Sequence, residues 1–181
     1  MFSKFTSIYS HDFTTVKLSS SLLKYLTANL LIFPIPFLIN QPQLLVGSLV
    51  NFCLIYIALH FKKSELLPSI FLPSIAAVLN GLLLGSITSF LVVLMPFIWL
   101  ANAVLIFALR RLQILQKPLT VSLLFAGMLK VIMLYGCTFV LVKILNLPSV
   151  LLITMGSMQI ATLSIAAFAY LLIEKLSKNK F

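Results

Sequence analysis

Among the polar side chains inside the long apolar stretches of this chain, one cation and four amides stand where they have chemistry to offer. Lys130 lies 11 positions into the apolar run 119–144, roughly 16–17 Å along a helix that rises 1.5 Å per residue. A charge at such depth in a membrane helix costs about 2.5–3.5 kcal/mol or more, which makes it a functional candidate. The stem is too short to carry the ammonium easily to either interface. An ion pair would be the simplest structural explanation. The three acids, however, are Asp12, Glu65 and Glu174, in the N-terminal segment or at the ends of apolar runs. Two readings remain: a neutral lysine held by amides and carbonyls, or a cation awaiting an anionic ligand.

The four amides are Asn51, Asn80, Asn102 and Gln159, one in each of four further apolar runs. Any one of them is most simply a helix-to-helix hydrogen bond, worth about 0.6–2 kcal/mol. Four polar helix faces together are better explained by a polar cup between the helices, with Lys130 beneath. Trp99, the only tryptophan, falls in mid-run and not at an interface, where tryptophans collect. Its indole N–H needs a partner there, and its ring is either packing or a face for a stacked ligand. Tyr135 follows Lys130 by five positions and so does not share its face closely.

Acid–base chemistry between paired carboxylates is improbable with three acids. The sequence holds no HExxH, GxSxG, GxGxxG or GxxxxGK[ST] pattern, so no metalloprotease, hydrolase, dinucleotide or P-loop signature is present. His11 and His60 are the only histidines, and Cys53 and Cys137 lie far apart in apolar surroundings. Neither pair has metal-ligand spacing. The expectation is a protein without catalytic groups, metal or cofactor.

Composition says what positions these residues. Of 181 residues, 61% are hydrophobic and 9% charged, with a mean hydropathy of +1.16. Soluble domains are nearer half apolar and a quarter charged. The apolar runs are 22–39, 44–61, 66–85, 87–109, 119–144 and 150–173, each about the length that crosses a bilayer. Lipid supplies no hydrogen-bond partners, so each must close its backbone bonds as a helix. The expectation is an all-α integral membrane protein, a six-transmembrane-helix bundle. Pro34 and Pro36 should kink the first helix or end it early. Gly81 and Gly85 form a GxxxG beside Asn80, a spacing that lets helices approach closely.

Eleven of the 13 basic residues cluster at one set of alternating ends: Lys4, Lys17, Lys24, Lys62, Lys63, Arg110, Arg111, Lys117, Lys175, Lys178 and Lys180. The opposite ends carry none, with only Lys143 nearby. The positive-inside rule then places both termini in the cytoplasm. The net charge of +10 is thereby explained by topology and anionic lipid, without nucleic acid. Residues 1–20 place Phe2, Phe5, Tyr9, Phe13 and Val16 at helical spacing, as a short interfacial helix or a disordered tail. The expected division is 1–20 as that N-terminal segment, 21–175 as the membrane domain and 176–181 as a basic tail.

Four stretches together resemble a known family. Val46-Gly-Ser-Leu-Val-Asn51, Leu67-Pro through Asn80-Gly81, Met95-Pro-Phe-Ile-Trp-Leu-Ala-Asn102-Ala and Met155-Gly-Ser-Met-Gln159-Ile-Ala-Thr162 look like patterns of the substrate-binding S components of energy-coupling-factor (ECF) transporters. The resemblance spans roughly residues 44–173. It implies a six-helix bundle in a bacterial or archaeal plasma membrane that captures a vitamin or similar micronutrient from outside. It also implies a transmembrane coupling subunit and two ATP-binding subunits as partners. Lys130 would then neutralise a ligand carboxylate or phosphate. Asn51, Asn80, Asn102 and Gln159 would donate hydrogen bonds, and Trp99 would offer a stacking face. A different class of function, a non-transporting membrane scaffold resembling the rod-shape protein MreD, would instead place the important side chains at Arg110 and Arg111.

Overall fold

The computed structural model describes residues 29, 32–39, 42–62, 66–81 and 90–178, and among these all regular structure is helical. The elements are α1 (Pro34–Leu38), α2 (Gln43–His60), α3 (Leu67–Asn80), α4 (Leu91–Ile114), α5 (Leu119–Leu145), α6 (Val150–Met155) and α7 (Ser157–Lys178). Several boundaries are set by single residues. Pro42 and Pro118 hold the extended backbone that precedes α2 and α5, as the fixed ring φ favours. Asn146 ends α5 and Gly81 ends α3, both in the left-handed conformation that Gly and Asn tolerate best.

The expectation of six spans is corrected. Among the described residues, four helices are long and apolar enough to cross a membrane: α2, α4, α5 and the 29-residue stretch Val150–Lys178 that α6 and α7 make together. The run 66–85 yields a helix of 14 residues, about 21 Å at 1.5 Å per residue and short of a ~30 Å hydrocarbon core. Its apolarity continues past Gly81, but the helix does not, because Gly81 turns the chain at φ 71°. Gly81 is therefore a helix terminator, and Gly85, the other half of the GxxxG spacing, lies outside the described residues. In the run 22–39, the described helix is the five-residue α1, with Pro34 as its first residue. A proline there costs no hydrogen bond, since the first turn's amides have no partner inside the helix. The two prolines separate α1 from the turn before it, where the Phe33 amide donates to the Asn29 carbonyl at 3.4 Å. The placement of both termini in the cytoplasm rested on the count of six and on residues outside the described set, and residues 1–20 lie outside that set as well.

This is an all-α protein that crosses the membrane several times. Its exposed surface is apolar in the way a lipid-facing one must be: Leu124, Phe125, Met128 and Ile132 on α5 are each more than half exposed. Helix α2 is the centre, packed against α7 and α4, while α5 packs on α4 and α3 lies between α1 and α4. The basic residues Lys62, Arg110, Arg111, Lys117, Lys175 and Lys178 fall at one end of the bundle. That end is stitched by polar contacts: Arg110 Nη1 donates to the carbonyls of Ala58 (3.1 Å) and Phe61, closing the end of α2. Gln113 donates to Ser122 Oγ at 2.8 Å, and His60 Nε2 shares a hydrogen bond of 2.9 Å with the Tyr170 hydroxyl.

Two apolar clusters fill the interior. One, including Leu54, Ile57, Leu105, Leu109 and Ala166, occupies the basic half. The other, including Val46, Ala77, Leu94, Leu134 and Leu151, occupies the opposite half. Between α2 and α7 the backbones come close, because a Cβ on Gly47 would stand 2.7 Å from Thr162 Cγ2. Gly47→Ala is therefore expected to destabilise the bundle by about 1–3 kcal/mol through overpacking. Gly136→Ala, where no atom lies within 4 Å, should be neutral or stabilising by up to ~1 kcal/mol. Thermal unfolding in detergent compares the two, and equal effects would contradict this packing.

Candidate functional site

Asn51 lies near the middle of α2, 2% exposed, between the two apolar clusters. Its side-chain oxygen accepts a hydrogen bond of 2.7 Å from Lys130 Nζ on α5. Its Nδ2 donates to Thr162 Oγ1 on α7 at 3.0 Å, and the Thr162 hydroxyl donates to the Gln159 carbonyl at 3.1 Å. The order is fixed by donor chemistry. An ammonium only donates, so it must meet the amide oxygen, which leaves the NH₂ for threonine. Three helices are thereby joined through one asparagine.

Lys130 is 3% exposed. Among the described residues Asn51 is its hydrogen-bond partner, so one of the three ammonium donors is committed within the protein. The one acid among the described residues, Glu174, sits near the basic end and pairs with Lys178 at 2.7 Å. No acid in the described structure thus compensates Lys130.

The chain of polar groups forms the floor of a cavity of about 110 Å³. Asn51, Asn102, Lys130, Gln159 and Thr162 line it together with Ser74 and Gln43. Its apolar walls come from the half of the bundle away from the basic residues, with Val46 and Val50 on α2, Ala77 on α3, Ile98 on α4 and Leu134 on α5. Gly156 separates α6 from α7 beside this space. A Cβ there would lie 2.6 Å from the Leu152 carbonyl and 2.8 Å from the Tyr135 ring. The break lets Met155, Met158 and Gln159 all reach the cavity wall.

Of the candidates marked in the sequence, Lys130, Asn51, Asn102 and Gln159 share this cavity. Asn102 donates to the Ile70 carbonyl at 3.2 Å, in the turn of α3 that Pro73 loosens. Trp99 does not line the space. Its indole donates to Ser74 Oγ at 2.6 Å and its ring meets Phe71 edge-on at 5.0 Å, so it positions the wall and presents no stacking face. Asn80 is elsewhere too: its Nδ2 donates to the carbonyls of Pro36 (3.0 Å) and Phe37 (2.7 Å), tying α1 to α3. Reasoning from sequence missed Thr162 and Ser74. Thr162 could have been found by its spacing, three residues after Gln159 on the same helical face.

A second hollow, an apolar groove of about 440 Å³, runs between α5 and α7. Thr120 and Ser164 are its polar residues, and it has no charged group with which to orient a polar ligand. The described residues also contain no cluster of three or more metal-ligating side chains. Comparison with family models, curated proteins and solved structures finds no match to this chain.

Because Asn51 bridges Lys130 and Thr162, changes at its two partners should not add. Thr162→Val and Lys130→Met are expected to show a coupling of about 0.5–3 kcal/mol in a double-mutant cycle of unfolding. Strict additivity would mean that the bridge does not exist.

Proposed function

We propose that this chain is the substrate-capture subunit of an ATP-driven uptake transporter for a vitamin-like small molecule, similar to the S components of ECF transporters. Lys130 carries the reading. A buried ammonium in a cavity wall, held by one asparagine and facing no acid among the described residues, is suited to receive a ligand's negative charge. Each of the four stretches that resemble S components sends residues to that same cavity. They supply Val46, Gly47, Val50 and Asn51, then Pro73, Ser74 and Ala77, then Ile98 and Asn102, and last Met155, Met158, Gln159 and Thr162. The proposal rests on this convergence and not on a count of helices.

Two further features fit the role. The cavity's walls lie in the half of the bundle away from the basic residues, and the positive-inside rule puts a basic end in the cytoplasm. The cavity would then open outward. No P-loop occurs in the sequence, so the energy for uptake would come from two ATP-binding subunits acting through a transmembrane coupling subunit. A membrane scaffold would need Arg110 at its surface, whereas that guanidinium caps the end of α2.

The test is mass spectrometry of small molecules released from the full chain purified in mild detergent. A stoichiometric anionic compound is expected, reduced at least tenfold in folded Lys130→Met and unchanged in Arg111→Ala. Equal retention by Lys130→Met overturns the site. A wild-type protein that stays empty after growth on rich medium, and with a metabolite extract added back, overturns capture.

A further inference from the structure

The size, charge and lining of the cavity together define the ligand more closely than capture alone requires. Resting on the capture reading, we propose that the ligand is a small monocarboxylic acid whose body is apolar and no bulkier than about one six-membered ring, bound with its carboxylate on Lys130.

Volume sets the upper limit. An engineered apolar cavity of ~150 Å³ accepts benzene, and this one measures about 110 Å³. A ring of that size, or a short branched chain, takes up the enclosed part, and a second ring would have to project through the opening. Charge sets the number of anionic groups. Lys130 is the one cation among the described residues that line the cavity, and its open N–H donors match a single carboxylate. A phosphate carries about 1.5–2 negative charges near neutral pH. One ammonium in a largely apolar pocket would leave part of that charge buried and uncompensated.

The walls decide the rest. Val46, Val50, Ala77, Ile98, Leu134 and Met155 surround the space above the polar floor. They offer no hydrogen bonds to a polyol or sugar, whose hydroxyls would be desolvated without return. An α-amino acid is disfavoured for a related reason. Its ammonium needs an anion, and no acid is among the described residues that line the cavity. The remaining polar groups are few: Ser74 is used by the Trp99 indole and the Phe71 carbonyl, and Gln43 stands at the first residue of α2. The Asn51 amide is used at both ends, while Asn102 keeps one N–H for the carboxylate. Gln159 stands beside them on the wall.

The experiment measures binding of a graded set of probes to the full chain in detergent by calorimetry, after any co-purified compound has been removed. The probes are acetate, isovalerate, benzoate and 2-naphthoate, with benzamide, inorganic phosphate and phenylalanine for comparison. Affinity should rise from acetate to benzoate and fall at least tenfold for 2-naphthoate. Benzoate should bind at least tenfold more tightly than benzamide, and this preference should vanish in Lys130→Met. Val50→Phe, which fills the cavity and leaves Lys130 in place, should abolish benzoate binding while the unfolding temperature is retained. This variant keeps the test decisive if Lys130→Met does not fold.

Binding of phosphate or 2-naphthoate as tight as benzoate, lost in Lys130→Met, would overturn the size and charge assignment while leaving capture intact. Benzoate binding unaffected by Val50→Phe would place it outside the cavity and also overturn the assignment. A protein that binds none of the probes, and releases no compound of its own, would overturn both the assignment and the capture reading beneath it.

Discussion

A lysine ammonium in the middle of an apolar helix bundle has to be held, and the arrangement around Lys130 is shaped by that need. The ammonium can only donate, so it takes the oxygen of Asn51, and the asparagine's NH₂ then requires an acceptor on a third helix. Thr162 provides it, but only because α7 lies close against α2. That approach exists because residue 47 has no side chain, and a Cβ there would stand only 2.7 Å from Thr162 Cγ2. A cation on α5, an amide on α2, a hydroxyl on α7 and a glycine on α2 thus form one unit. A change at any of them is felt by the others.

The cavity is a consequence of the same unit. The two apolar clusters pack well on either side of the polar layer, but polar side chains that bond to one another across three helices cannot also fill the space above them. Gly156 interrupts the helix at this height and turns Met155, Met158 and Gln159 toward the opening. The ammonium is therefore both a structural member, through Asn51, and a group with donors to spare. Replacing it with an apolar side chain need not unfold the protein, since removing an uncompensated buried charge relieves a desolvation cost.

Much of this was legible from residue types alone. Lys130 was conspicuous because charge is costly in lipid, and Asn51, Asn102 and Gln159 because amides in apolar runs need partners. Their convergence on one space is a property of the fold. Thr162 and Ser74 escaped notice because a hydroxyl can satisfy itself on its own helix, as Ser74 does with the Phe71 carbonyl. Asn80 and Trp99 looked equivalent to the others, yet one fastens α1 and the other supports Ser74. Hydropathy also overstated the number of spans. It registers apolar residues but not the left-handed turn at Gly81, which stops α3 after 14 residues.

The central claim is that Lys130 keeps donors directed at a cavity closed by protein on its basic side. A crystal structure of the full chain grown from lipid, without removal of co-purified compounds, addresses it most directly. The account predicts non-protein density within hydrogen-bonding distance of Lys130 Nζ, with Asn51 still bridging to Thr162. An ammonium saturated by protein carbonyls, in a space filled by side chains, would contradict it.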